Sequence, residues 1–541
     1  MAEMRVYGPP GTGKTTYLSG QIGRAAETYG ADRVMVASFT KAAAHELNTR
    51  GLPVEEHKLG TLHAICYRLI RMAGFSTDVA ESPKWLKVFN DWQREYAVTT
   101  SGDIDEPMYA QPTAMGDAML QGYNRARAQM LPREQYDAFY VANKFMTGSV
   151  KRFADTWDAF KYEHELIDFT DMIELCLTHK LGPPTGVDIG FFDEVQDFTP
   201  LELALIRQWS EHLEYIVLAG DDDQCIYDFK GASPNAFLYP EIDDDHKRFL
   251  TQSYRMPQLV HTYSQQWISQ VDERENKWFR PRIEEEGIIA YDGSLQYAKQ
   301  YALEARIPQL LETSVRDADN MPPLMFLTTC GYMLDPIKHA LRQLGIPYHN
   351  PYRRKRGDWN PLGRRTGTVS TAERVEAITR VPQTVQDARK WSELVNSRGV
   401  FITNAQKRLK GPAGDEIFNA QEYMTEEALN DMHADPLRFL EKNAKQAKRR
   451  QIEYVTEIIR RHGVGILHKT PEVVIGTIHS VKGGQADTVV LFPDVSRKGH
   501  EWTLSDSTVR QFYVGMTRAA RRLVLARPSD PTLNVSLPQG I

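Results

Sequence analysis

Residues 8–15 read GPPGTGKT, a run in which each residue type suits the cradling of a polyphosphate. Gly8, Gly11 and Gly13 let backbone N–H groups turn inward, with Pro9, Pro10 and Thr12 between them. Lys14 can reach the terminal phosphates, and the Thr15 hydroxyl is placed to ligate magnesium. The context fits, because a short apolar run (residues 4–7) precedes the loop and a helix-compatible stretch (15–26) follows it. Two later acidic clusters could complete such a site. Asp193 and Glu194 close the apolar run VDIGFF, where one carboxylate could sit by a metal and the other orient or deprotonate water. The same pair could also open a helix, since acids favour a first turn. Asp221, Asp222 and Asp223 follow another apolar run and lead to Gln224, whose amide can report on a γ-phosphate. Three adjacent acids would equally suit a solvated turn. Beyond them Tyr227 and Phe229 offer rings that can stack on bases.

These residues need strand ends to hold them. A β-α alternation supplies candidates: a strand at 33–39, a helix at 40–49, then residues 60–63 leading into an amphipathic segment at 64–72. From about 74 to 165 the strand signal gives way to helical periodicity. Trp85, Phe89, Trp92 and Tyr96 share one face, as do Phe153, Trp157 and Phe160, and such stripes are expected to be core. The α/β pattern returns with a strand at 187–192, a helix at 200–209 and a strand at 215–219. A second α/β series uses 287–291, 324–328, 335–344, 473–478, 488–492 and 522–526. Within it, residues 350–469 read as mixed structure with a long helical stretch from roughly 425 to 462.

The chain has 541 residues, 41% hydrophobic and 25% charged, with a formal net charge of −6, which suits several globular domains. The stretch 351–470 is net basic within this acidic whole. Four cysteines are scattered singly, so reduced buried thiols are expected. No run approaches eighteen apolar residues and no signal pattern opens the chain, from which an intracellular protein without membrane contact is expected.

Taken in order, these motifs resemble those of a superfamily 1A DNA helicase of the UvrD/Rep/PcrA type. Residues 8–15 are similar to motif I, 38–47 (SFTKAAAHEL) to motif Ia, and 60–63 to motif Ib. Residues 168–173 (DFTDMI) are similar to the stretch before motif II. The later matches are 193–197 to motif II, 220–232 (GDDDQCIYDFKGA) to motif III, 252–255 (QSYR) to motif IV, 477–485 (TIHSVKGGQ) to motif V and 513–519 (YVGMTRA) to motif VI. The resemblance implies an α/β fold of two RecA-like parallel-sheet P-loop domains, each with an inserted, mainly helical subdomain. Domain 1A would span 1–73 and 166–250 with insertion 1B at 74–165. Domain 2A would span 251–349 and 471–541 with a short basic insertion, 2B, at 350–470.

Carried over residue by residue, the resemblance implies ATP and Mg²⁺ as cofactors. Lys14 would contact β/γ-phosphates, Thr15 and Asp193 hold the metal, Glu194 activate water and Gln224 sense the γ-phosphate. Arg255 and Arg518 would reach that phosphate from 2A. Tyr254 would stack on the base, Thr16 belongs to the loop, and Gln485 would contact the ribose. Phe39, Tyr227 and Phe229 would stack on single-stranded DNA, with Thr61, His63 and His479 as backbone contacts. The expected partners are single-stranded DNA and its junctions with duplex, with a protein reached through the 2B-like insertion as a further candidate. Basic residues Arg353, Arg354, Lys355, Arg356, Arg364 and Arg365 and the run 442–450 suggest a surface for duplex or a partner. A cytoplasmic, nucleoid-associated setting in a bacterial or phage-infected cell follows.

Some positions depart from the family. An adenine-reading glutamine stands well before motif I in family members, whereas only residues 1–7 precede Gly8 here, so relaxed preference among triphosphates is expected. Gln485 replaces a common glutamate, and Thr16 a common arginine. The expected activity is ATP-driven translocation on single-stranded DNA, 3′ to 5′, coupled to unwinding. The alternatives are a translocase that displaces proteins or remodels recombination intermediates, and a nucleotide-gated DNA-binding subunit of a larger complex.

Overall fold

The computed structural model describes residues 2–39, 51–82, 85, 115–139, 149–283, 285–316, 321–352, 360–363, 369–497 and 505–538. Most of the motif Ia segment, Phe89, Trp92, Tyr96 and the arginines at 353–356 and 364–365 lie outside the described residues. The chain divides into two compact units: residues 1–290, 493–523 and 532–541 form the first, and 291–492 with 524–531 the second.

The first unit is organised on a six-stranded sheet. Its strands are β1 (Ala2–Tyr7), β2 (Val34–Ser38), β3 (Leu59–Thr61), β4 (Ile189–Asp193), β5 (Tyr215–Gly220) and β6 (Lys247–Phe249), in the order β3-β2-β4-β5-β1-β6. Every pairing given for it is parallel. The central strands are buried along nearly their whole length, as expected for a parallel sheet covered on both faces. Register then decides what stands together at the carboxyl edge: Tyr7 pairs with Gly220, and Ser38 with Asp193. The phosphate-type loop, the Asp193–Glu194 pair and the acidic turn thus leave the sheet at one edge, where open α/β sheets bind ligands.

Helix Lys14–Tyr29 leaves the loop from Gly13 at φ 74° and buries Leu18, Ile22, Ala25 and Ala26 against the sheet. Each large apolar side chain buried this way contributes about 1.5–3 kcal/mol. The helical insertion has its own core, in which Phe153, Trp157 and Phe160 are buried with Tyr123 and Val150, so this aromatic stripe is core as expected. Trp85 packs against the same cluster.

A second six-stranded sheet consists of β7 (Ile288–Asp292), β8 (Leu324–Thr328), β9 (Tyr348–His349), β10 (Val473–Thr477), β11 (Ala486–Leu491) and β12 (Ala519–Ala526), ordered β7-β12-β11-β8-β10-β9. Strands β8, β10 and β11 are wholly buried and parallel. Their core is continuous with that of the helices between β9 and β10, where Trp391 stacks on Phe401 at 5.8 Å. The long helix expected from 425 to 462 is instead three: Glu426–Ala434, Pro436–Asn443 and Arg449–His462. Asp435 is extended at φ −156° and accepts the N–H groups of Leu437 and Arg438, while Pro436 has no N–H with which to continue the preceding helix. No described helix is long and apolar enough to cross a membrane, and the four cysteines are buried thiols.

Candidate nucleotide and nucleic-acid site

Local chemistry shapes the loop. Gly8 N–H donates to Gly220 O at 2.9 Å, and Thr12 Oγ1 donates to Pro9 O at 2.7 Å. Gly11 adopts φ +73°, and a Cβ there would collide with Arg255 Cβ and lie 2.8 Å from Ser253 Oγ. The loop is gripped from residues 253–255: Ser253 Oγ donates to Pro10 O at 2.8 Å, and Tyr254 N–H to Gly11 O at 2.8 Å. Arg255 is thereby brought against the phosphate-type loop, and both belong to the first unit. The Tyr254 ring is 71% exposed.

Lys14 Nζ lies 2.8 Å from Glu194 Oε1 and 3.7 Å from Asp193 Oδ1. Burial opposes the ammonium, but the two carboxylates outweigh it and hold its pKa above the ordinary lysine value. Asp193 is buried, and its Oδ1 accepts the Glu194 N–H at 2.9 Å. Glu194 stands at φ 57°, left-handed for a residue with a Cβ, a strain of the sort that clusters at functional sites. Its other oxygen accepts a hydrogen bond from Gln196 Nε2, whose own Oε1 accepts the Asp221 N–H at 2.9 Å. Gln224 Nε2 donates to Asp221 Oδ2 at 2.7 Å, and Arg518 Nη2 donates to Gln224 Oε1 at 3.1 Å. Arg518 is buried and further fixed through Nε to Val514 O at 2.9 Å.

The acids of the 221–223 turn are not solvated; all three are buried around Lys277. Its Nζ lies 3.0 Å from Asp221 Oδ1 and 3.1 Å from Asp223 Oδ2, and pairs with Asp222. Arg274 binds Asp223 through two hydrogen bonds of 2.8 and 2.6 Å, and Arg510 Nε donates to Asp222 O at 3.1 Å. Burial opposes the charge on Asp223, but Lys277 and Arg274 outweigh it and lower its pKa. Asp222, a third acid on the same ammonium, is pushed up to about 6 by burial. Lys277, Arg274 and Arg510 are absent from the sequence reading because no local pattern ties them to residues fifty or more positions away. Gln196, inside DEVQD, carries no sequence signal for its bridge between Glu194 and Asp221.

Among the candidate base-stacking residues, Phe39 and Tyr227 are half-buried with ring centroids 5.4 Å apart, and Tyr227 lies 5.9 Å from Phe229. Lys230 Nζ sits over all three rings, closest to Tyr227 at 4.9 Å. Phe229 is buried, which limits its access to a base. Thr61 caps helix Leu62–Met72 by accepting the Ala64 N–H, and His63 lies 3.6 Å from Glu202. Thr15 is half-buried and Thr16 exposed on the first helical turn. His479 is buried and Gln485 half-buried, both in the second unit.

The architecture is that of a two-sheet α/β protein with a phosphate loop at the sheet edge. The chain belongs to the UvrD/Rep/PcrA-type helicases of superfamily 1. Residues 2–245 match the UvrD/REP helicase N-terminal domain, and 472–526 the UvrD-like helicase C-terminal domain. Similar proteins include the ATP-dependent DNA helicase PcrA of Leuconostoc citreum, 23% identical over 324 residues, covering 56% of this chain and 42% of the relative. The PcrA of Bacillus subtilis is 22% identical over 361 residues, 63% and 47% respectively. The ATP-dependent DNA helicase UvrD2 of Mycobacterium tuberculosis is 26% identical over 290 residues, 46% and 39% respectively. The matches thus span less than half the length of these curated relatives.

Proposed function

We propose that this chain hydrolyses ATP at the edge of the first sheet and uses it to translocate on single-stranded DNA, 3′ to 5′, unwinding duplex ahead. The observation that carries the reading is the grouping of Lys14, Glu194 and the Gln224–Arg518 contact at one strand edge, beside a loop packed on Arg255. Lys14 binds the terminal phosphates, Glu194 orients water, and Gln224, Arg255 and Arg518 answer the charge that develops on the γ-phosphate. Tyr254 stacks on the base. The Thr15 hydroxyl and the Asp193 carboxylate are oxygen donors of the kind Mg²⁺ accepts while keeping waters, and these two residues would hold it. When bound, the ion would neutralise phosphate charge.

Phe39, Tyr227 and Lys230 form the surface that takes successive bases, an arrangement tolerant of sequence and suited to a motor. Thr61 and His63 contact the backbone. A strand-displacement assay on substrates with 3′ or 5′ single-stranded tails, of DNA and of RNA, tests the reading. ATP-dependent displacement from 3′-tailed DNA is the expected result. Displacement from 5′ tails alone would reverse the polarity, and translocation without displacement would leave a protein-clearing or remodelling motor.

A further inference from the structure

We infer that Lys277 is a positioning residue for Gln224, acting through Asp221. The inference rests on the hydrolytic reading above and goes beyond it, because Lys277 touches none of the residues proposed to meet the nucleotide.

The three acids around Lys277 are not equivalent. Asp223 has Arg274, and Asp222 accepts the Glu275 N–H at 2.9 Å. Asp221 Oδ2 is taken by Gln224, and its Oδ1 accepts no hydrogen bond among the described residues; Lys277 Nζ, 3.0 Å away, compensates its charge. A carboxylate only accepts, so Asp221 takes the Gln224 amide by its Nε2 and turns Oε1 the other way, toward Arg518. The Gln224 main chain is tied to the same residue, since its N–H donates to Asp221 O at 2.8 Å. On its other side Asp221 is joined by Gln196 to Glu194. Asp221 is thus the hub between the carboxylate that faces Lys14 and the amide that faces Arg518, and Lys277 is its counter-charge. Without that cation the buried carboxylate is left uncompensated and must turn from its place, and it no longer dictates which end of Gln224 faces Arg518.

The test is a double-mutant cycle on the full chain, reading kcat and KM for DNA-stimulated ATP hydrolysis in the unmodified protein, Lys277→Met, Gln224→Ala and the pair, with Lys277→Arg as rescue. Lys277→Met should lower kcat at least tenfold with KM within threefold, and Lys277→Arg should recover most of the loss. In the Gln224→Ala background Lys277→Met should cost less than threefold. Multiplying losses, or full activity in Lys277→Met, would overturn the inference while leaving the hydrolytic reading intact. Absence of hydrolysis in the unmodified chain would overturn both. If Lys277→Met does not fold, Lys277→Gln takes its place in the same cycle and is read on the same criteria.

Discussion

The Lys14 ammonium and the Glu194 carboxylate are 2.8 Å apart, so the cation meant for phosphate is held by the group assigned to water. A nucleotide must take Lys14 from Glu194, which frees the carboxylate as the substrate arrives. Glu194→Gln removes the competing charge without changing shape. It should lower kcat about 10²–10⁴-fold, the usual contribution of a positioned base, while nucleotide affinity stays equal or rises. Lys14→Met should lose both. Steady-state hydrolysis alongside equilibrium nucleotide binding separates the two, and weaker binding in Glu194→Gln would contradict the assignment.

The loop offers a paired comparison. Gly11 and Gly13 share nearly the same backbone, φ 73° and 74°, yet a Cβ at Gly13 meets nothing within 4 Å whereas one at Gly11 strikes Arg255. Gly13→Ala should carry only the left-handed penalty of about 1–2 kcal/mol. Gly11→Ala should melt at a lower temperature than Gly13→Ala and lose more hydrolysis. Equal melting temperatures would show that the loop yields at Arg255.

Legibility followed distance along the chain. The phosphate-type loop is eight consecutive residues between a strand and a helix, and its character shows in the string itself; so do the strand ends at Asp193 and Gly220, because buried parallel strands are continuous apolar runs. What stayed hidden depends on partners far apart. Three aspartates in a row look solvated until Lys277 and Arg274 are folded onto them, and Phe229 looks available until its burial is seen. The left-handed backbone at Glu194 has no sequence signal, since any residue can be forced there by its surroundings. The break at Asp435–Pro436 has a local signal, a capping acid before a proline, but helical periodicity runs on both sides of it.

Tyr227 and Phe229 are neighbours in the same motif with different expected roles. Tyr227 is half-buried under Lys230, and Tyr227→Ala should weaken single-stranded DNA binding by about 1–3 kcal/mol, on the order of 5- to 150-fold in Kd, with little change in melting. Phe229 is buried, so Phe229→Ala should cost about 3–5 kcal/mol of stability. Fluorescence anisotropy with labelled oligonucleotide, beside thermal melts, checks both. An equal loss of affinity from two stably folded variants would place Phe229 on the DNA too.

A second buried ionic cluster joins the helical insertion to the sheet unit and makes stability depend on pH in two opposed ways. Asp168 accepts from both Arg127 and Lys161, at 2.9 and 2.7 Å, and from Trp157 Nε1 at 3.0 Å. Burial raises its pKa, but the two cations outweigh burial and hold it below the usual carboxylate range. Its stabilisation is therefore present above that range and lost as pH falls through it. Removing one partner by Arg127→Met leaves the buried carboxylate with Lys161 as its one remaining cation of the pair and should cost about 3–5 kcal/mol at neutral pH. Glu81 has the opposite sign. Burial first, then the Asp168 charge, pushes it up to about 8, and its buried Oε2 accepts no hydrogen bond among the described residues. The folded chain therefore holds a proton that the unfolded chain releases above the ordinary glutamate value of about 4.5. That stability is lost as pH rises toward 8, at up to about 1.4 kcal/mol per pH unit. Glu81→Gln keeps the neutral shape at every pH. Its melting temperature should match the unmodified chain near pH 5 and exceed it at pH 8, and parallel melting curves across that range would show that Glu81 is ionised in the folded protein.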